Sequence, residues 1–274
     1  MRIGIFAKTF PGHDPTSVLR AVRDAGYVCT QFNLASADLD SMPASVPDQT
    51  IAAIAGAARD SGVKIEALSG TYNMIHPDPA VRAHGLERLG VVIAAAAKLG
   101  VGMVTLCTGT RDPHDQWRAH PDNTTPEAWR DLRVEMGRAA ELAERHGVDL
   151  GIEPEQANVV MSAADALRLF SDIGSPRLRV VLDPANLFEH ASRADAARIV
   201  ADAVDRLAGH IGMAHAKDRD AAGKFCTAGT GIVDFPAFVG GLRGTGFDGP
   251  LITHGLSAAE APGVGAFLAR LVAA

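Results

Sequence analysis

Four residues able to do chemistry stand where short apolar runs end in this 274-residue sequence: Glu153 after Leu150-Gly151-Ile152, Asp183 after Val180-Val181-Leu182, His215 after Met213-Ala214, and His254 after Leu251-Ile252-Thr253. Taken singly, any one of them reads equally well as a cap for a following helix or as a satisfied polar group. Four in successive runs read differently. If the runs are parallel strands whose ends meet, the four side chains share one volume, where unpaired charge is costly without a cation. Two carboxylates and two imidazoles form a ligand set for one divalent ion.

The elements that would bring them together are legible as a repeat. A helical stretch ending in glycine and running straight into an apolar segment recurs at Gly26, Gly62, Gly100, Gly147, Gly174, Gly209 and Gly246, at intervals of 27 to 47 residues. Seven junctions imply eight strand–helix units. Strands are expected at 2–6, 28–33, 64–69, 103–107, 149–153, 178–182, 210–215 and 250–254, the kind of run found in parallel strands buried on both faces. Asp78 before Pro79, Thr125 before Pro126, and Ser162 read as helix N-caps. Strict alternation predicts a parallel α/β fold, and eight evenly spaced units favour a single (β/α)8 barrel domain over 1–274 against a doubly wound open sheet. Long polar segments follow strands three and four, at 70–78 and 108–125. They mark the working face, because such barrels carry their sites on the strand-to-helix loops. The stretch around Trp117 is a candidate lid, and His13, after strand one, is a minor candidate for the same mouth.

Composition narrows the function classes. A hydrophobic fraction of 47% with 21% charged residues is enough to fill a large core, and no tract looks disordered. The formal net charge is −6 with Lys and Arg scattered, so the basic footprint of a nucleic-acid binder is missing. Met1-Arg2-Ile3-Gly4-Ile5-Phe6 enters a strand at once and no apolar run is long enough to span a bilayer, so a cytoplasmic protein is expected. Cys29, Cys107 and Cys226 are too widely spaced for a zinc knuckle or a disulfide framework and read as reduced thiols. His84 and His146 fall in or beside helices and read as surface residues. Gly229-Thr230-Gly231 lacks the third glycine of a dinucleotide fingerprint. Cys107-Thr108-Gly109-Thr110-Arg111 reads equally as a phosphate cradle or as a glycine turn.

The most specific segments are Ile152-Glu153-Pro154-Glu155, Leu182-Asp183-Pro184-Ala185-Asn186, His215-Ala216-Lys217-Asp218, Gly70-Thr71-Tyr72-Asn73-Met74-Ile75-His76-Pro77-Asp78 and Gly229-Thr230-Gly231-Ile232-Val233-Asp234-Phe235. With them the whole chain resembles the xylose-isomerase-like barrels of sugar isomerases, sugar epimerases and inosose dehydratases, which share their fold with apurinic endonucleases. The resemblance implies one Mn2+, Zn2+, Mg2+ or Co2+ ion held by Glu153, Asp183 and His215, with a fourth ligand from strand eight. Where epimerases of this family place a glutamate that both binds metal and moves a proton, this sequence has His254, a donor better suited to Zn2+, Mn2+ or Fe2+ than to Mg2+. The expected activity is isomerisation or epimerisation of a small sugar or polyol. It proceeds by proton abstraction next to a metal-chelated carbonyl, through an enediolate. Glu153, Glu155 and His254 are the acid–base candidates. His76, Asn186 and Lys217 would bind substrate hydroxyls, Arg111 belongs to the same substrate loops, and Trp117 would cover an apolar sugar face. A lyase or dehydratase acting on a keto-polyol begins with the same step and is the alternative; a non-catalytic sugar-binding protein and a nuclease are more remote. Neither nucleic acid nor membrane is an expected partner, and the expected assembly is a homodimer or homotetramer.

Overall fold

The computed structural model describes residues 1–274. Its ten strands are β1 (Arg2–Phe6), β2 (Cys29–Phe32), β3 (Lys64–Ser69), β4 (Met103–Leu106), β5 (Asp149–Ile152), β6 (Leu178–Leu182), β7 (Ile211–Ala216), β8 (Asp218–Arg219), β9 (Phe225–Cys226) and β10 (Pro250–Thr253). Eight of them close into a barrel in the order β1-β10-β7-β6-β5-β4-β3-β2, every pairing parallel. The helices are α1 (Pro15–Asp24), α2 (Asp48–Ser61), α3 (Pro79–Leu99), α4 (Pro126–His146), α5 (Ala163–Ile173), α6 (Arg193–Arg206), α7 (Phe235–Gly244) and α8 (Ala261–Ala273). The expected barrel is therefore present, and its eighth strand is β10.

The local signals act as their chemistry requires. Asp78, Thr125 and Ser162 accept the backbone N–H of Ala80, Ala128 and Asp165, relieving the orphan donors of α3, α4 and α5. Gly62, Gly100, Gly147 and Gly174 end their helices at φ between 68° and 70°, the left-handed conformation that a Cβ disfavours. No helix is long and apolar enough to cross a membrane. The short antiparallel pair β8–β9, absent from the sequence reading, folds back over the mouth after β7. Asp218 organises it: its buried carboxylate accepts the backbone N–H of Arg219, Gly229, Gly231 and Val233 at 2.8 to 3.1 Å. A Cβ on Gly231 would run into that carboxylate and the Arg219 carbonyl, which explains the glycine.

Glu135 is a buried acid outside the mouth. Tyr72 donates its hydroxyl to Glu135 Oε1 at 2.9 Å between the β3 loop and α4, and burial pushes the Glu135 carboxyl above its ordinary range. A raised carboxyl pKa means that the fold disfavours the charged form. Its cost is fully present above the folded pKa and vanishes as pH falls below the unfolded value. Glu135→Gln, whose amide oxygen still accepts from Tyr72, is expected to melt higher than the wild type at pH 7.5, by about 1 kcal/mol. The difference should close near pH 4. A lower melting temperature at pH 7.5 would refute this account.

Candidate metal centre and active site

Alternation along each strand assembles the site, because residues two apart face the same side. The deeper inward positions include Cys29, Ala67, Met103, Val181, Met213 and Ile252, which pack into an apolar plug separate from the main core. Gly151 makes room for it: a Cβ there would lie 2.7 Å from Val181 Cγ2 and 2.9 Å from Met103 Sδ. Two residues further along each strand come Phe6, Gln31, Ser69, Thr105, Glu153, Asp183, His215 and His254. Asp183 is fully buried, and the other seven line one mouth cavity of about 500 Å3.

Glu153, Asp183, His215 and His254 are brought together, each offering a ligand atom within 4.8 Å of the others. Asp183 Oδ1 accepts the Ala185 N–H at 2.9 Å, while Oδ2 takes Lys217 Nζ at 3.1 Å and His254 Nε2 at 3.2 Å. Asn186 links the next pair, donating Nδ2 to Glu153 Oε1 and accepting Lys217 Nζ on Oδ1, both at 2.7 Å. His215 Nδ1 is buried without a hydrogen-bond partner, 3.4 Å from Glu153 Oε1 and 3.9 Å from Asp183 Oδ2. A buried nitrogen aimed between two carboxylates is left unsatisfied by the protein and would be satisfied by a cation. The residues present therefore fit a divalent ion.

The charges around the cluster separate its acids. Burial acts upward on Asp183, but the Lys217 ammonium and the His254 hydrogen bond hold its carboxyl far below the ordinary range. At Glu153 burial again acts upward, and the His215 ring with Lys217 brings the carboxyl below its usual value. Glu155 goes the other way: burial, then repulsion from Glu153, pushes it up to about 7. It lines the same cavity, and its Oε2 accepts Asn158 Nδ2 at 3.2 Å. Burial lowers His254, against the pull of Asp183. Burial also pushes the Cys107 thiol far above its ordinary range, which removes it as a nucleophile.

Of the residues expected to contact substrate, Asn186, Lys217 and Trp117 line the mouth, Trp117 at the rim and 53% exposed. His76 and Arg111 do not. His76 lines a neighbouring open cavity with Nε2 3.2 Å from the Pro113 carbonyl. The Arg111 guanidinium is turned onto α4, donating to Asp131 Oδ2 at 2.7 Å and to the Ile75 carbonyl at 3.0 Å. His13 is exposed beside the Ala35 carbonyl and outside the mouth lining. The turn after β4 is no phosphate cradle, since the N–H groups of Gly109, Thr110 and Arg111 already donate to Asn158, Asn73 and Asn123. Sequence reading missed Gln31, Ser69 and Thr105, which the two-residue period counted from Cys29, Ala67 and Met103 would have found. It also missed Phe225 on β9, whose ring lies 4.0 Å from both Lys217 Nζ and the Arg219 guanidinium and which has no local signal.

Comparison with known proteins agrees with the barrel fold. A family model described as a xylose isomerase-like TIM barrel matches residues 19–265. A ketose 3-epimerase from Arthrobacter globiformis is 24% identical over 268 residues, 94% of this chain and 84% of its own. An L-ribulose-5-phosphate 3-epimerase, UlaE, from Shigella flexneri is 26% identical over 205 residues, 73% of this chain and 67% of its own. Among solved structures, an L-ribulose 3-epimerase superposes with a TM-score of 0.78 at 24% identity, covering 99% of this chain and 94% of that one. The 3-keto-D-glucoside 4-epimerase YcjR from E. coli gives 0.77 at 18% identity, with both chains covered completely.

Proposed function

This chain belongs to the xylose isomerase-like TIM barrel family, and from that membership we propose that it is a divalent-metal-dependent epimerase or isomerase of a small ketose. The observation that carries the reading is the Glu153, Asp183, His215 and His254 cluster gathered in one mouth, with Glu155 lining the same cavity and lifted to about 7. A carboxyl poised near neutrality can both take and return a proton. The epimerase names of its relatives support the same class.

Glu153, Asp183, His215 and His254 would hold one ion, and two imidazoles favour Mn2+, Zn2+ or Co2+ over Mg2+. When bound, the ion polarises a carbonyl and an adjacent hydroxyl as a Lewis acid, acidifying the carbon-bound proton. Glu155 takes that proton. Inversion needs a second acid–base group on another face of the same carbon; a ligating imidazole has no free lone pair, so His254, on β10 and separated from β5 by β6 and β7, fills that role only when Glu153, Asp183 and His215 hold the ion without it. Asn186 and Lys217 exchange their mutual hydrogen bond for substrate hydroxyls, and Trp117 and Phe225 cover the sugar from the rim. Buried Cys29 and Cys107, both free thiols, suit a reducing cytoplasmic setting.

Loss of water from a keto-polyol is the second reading, favoured by the engagement of His254 with Asp183, because elimination needs only one carbon-acid base. Incubating the metal-loaded enzyme with ketoses and inososes in D2O tests both. Deuterium appearing next to the carbonyl, in an inverted or isomerised sugar, supports the proposal; a dehydrated product assigns the lyase, and neither exchange nor water loss removes both. His254→Glu is expected to shift metal preference toward Mg2+ and away from Zn2+ by at least tenfold, measured by competition binding. Unchanged preference would place His254 outside the ligand set.

A further inference from the structure

Gln31 lies on β2, separated from β7 by β1 and β10, yet its side chain reaches His215. The amide is buried and completely engaged. Nε2 donates to Ser69 Oγ on β3 and to Thr105 Oγ1 on β4, each at 3.0 Å, and Oε1 stands 2.9 Å from His215 Nε2. With both amide protons committed to the hydroxyls, the oxygen faces the imidazole and can only accept. His215 Nε2 must then carry the ring proton, which leaves Nδ1 with a lone pair. The other nitrogen supports that assignment. A proton on Nδ1 would be a buried donor without a well-aligned acceptor, because Glu153 Oε1 is 3.4 Å away and makes no hydrogen bond to it. Such an orphan donor is costly in a buried site.

We propose that Gln31 is a positioning residue of the metal centre: it takes the Nε2 proton of His215 and so commits the ring to presenting Nδ1 to the ion. Ligating histidines generally hold their tautomer through a hydrogen bond from the other ring nitrogen, and a side-chain amide oxygen fills that role here. Ser69 and Thr105 orient the amide, so four barrel strands fix one proton. The inference rests on the metal reading of the site, but its main test does not need the ion.

The full-length protein, labelled with 15N-histidine and freed of metal by chelation, reports the tautomer of His215 through its imidazole 15N shifts, assigned by the signal lost in His215→Asn. The expected pattern is a protonated Nε2 and a bare Nδ1. Gln31→Met keeps length and volume but removes the acceptor; it should mix the tautomers and weaken Mn2+ and Zn2+ binding by 10- to 100-fold. Gln31→Glu restores an acceptor and should recover both the tautomer and affinity to within about threefold. Should Gln31→Met fail to fold, the wild-type shifts still decide. Protonated Nδ1 in the wild type, or a Gln31→Met protein with unchanged shifts and affinity, overturns the proposal. A wild type with the expected tautomer that takes up no divalent ion would instead overturn the reading of the site as a metal centre.

Discussion

Glu155→Gln is expected to lower turnover by roughly 10²-fold or more while divalent-ion content and ketose binding stay near wild type, the scale for losing one positioned acid–base group. The reason is local. Glu155 follows Glu153 by two residues, so both face the mouth, and the backbone beyond the strand is held by the Glu155 N–H donating to the Val160 carbonyl at 2.9 Å. Its side chain is outside the cluster whose ligand atoms lie within 4.8 Å, and its value of about 7 reflects burial first and Glu153 second. Glutamine keeps the shape and an oxygen for the Asn158 contact and loses the ability to take up and release a proton. A bound cation pulls the carboxyl downward, so the acid limb of kcat/KM in the wild type should fall at or below pH 7. A base must be ionised to act, so activity is lost as pH drops through that value. The limb should be missing from the residual activity of Glu155→Gln. Normal turnover in this variant would reassign proton transfer, with His254 the next candidate.

Asp183 gives the second large expectation. Asp183→Asn should lose more than about 100-fold in divalent-ion affinity, exceeding the 10- to 100-fold usual for residues that only support a ligand. Turnover should fall with the ion. Asp183 uses Oδ1 for the Ala185 N–H and Oδ2 for Lys217 Nζ, whereas asparagine has one acceptor oxygen and satisfies only one of them, so its melting temperature should fall as well. Asp183→Ala does more. It strands the buried Lys217 ammonium, which sits 3.1 Å from Asp183 Oδ2, and removal of one partner from a buried pair typically costs about 3–5 kcal/mol. Metal analysis after dialysis, alongside thermal melts, separates the two effects. Retention of wild-type ion content by Asp183→Asn would take Asp183 out of the ligand set.

Both expectations depend on residues legible before any coordinates. Seven glycine-ended junctions, implying eight units, specify a closed parallel barrel because each βα unit needs one strand, one helix and a helix stop, and those stops are local chemistry. Once the barrel is granted, residues one step past each late strand must converge. Glu153, Asp183, His215 and His254 could therefore be named as a group, with Glu155 beside them. Side-chain direction in loops was not legible. Arg111 and His76 belong to the long polar segments, yet Arg111 is turned away by Asp131 on α4, a partner 20 residues distant that no local pattern reveals. Phe225 reaches the mouth only because Asp218 gathers four backbone N–H groups from the segment between β7 and α7. Gln31 is the sharpest contrast. Its residue type and inward position follow from counting along one strand, but its chemistry comes from a hydroxyl on β3, a hydroxyl on β4 and an imidazole 184 residues away. The sequence by itself determined the barrel and the set of atoms available at its mouth, since both follow from short-range periodicity. Only the tertiary structure decided which partners those atoms meet, because closure of the barrel alone brings those partners within reach.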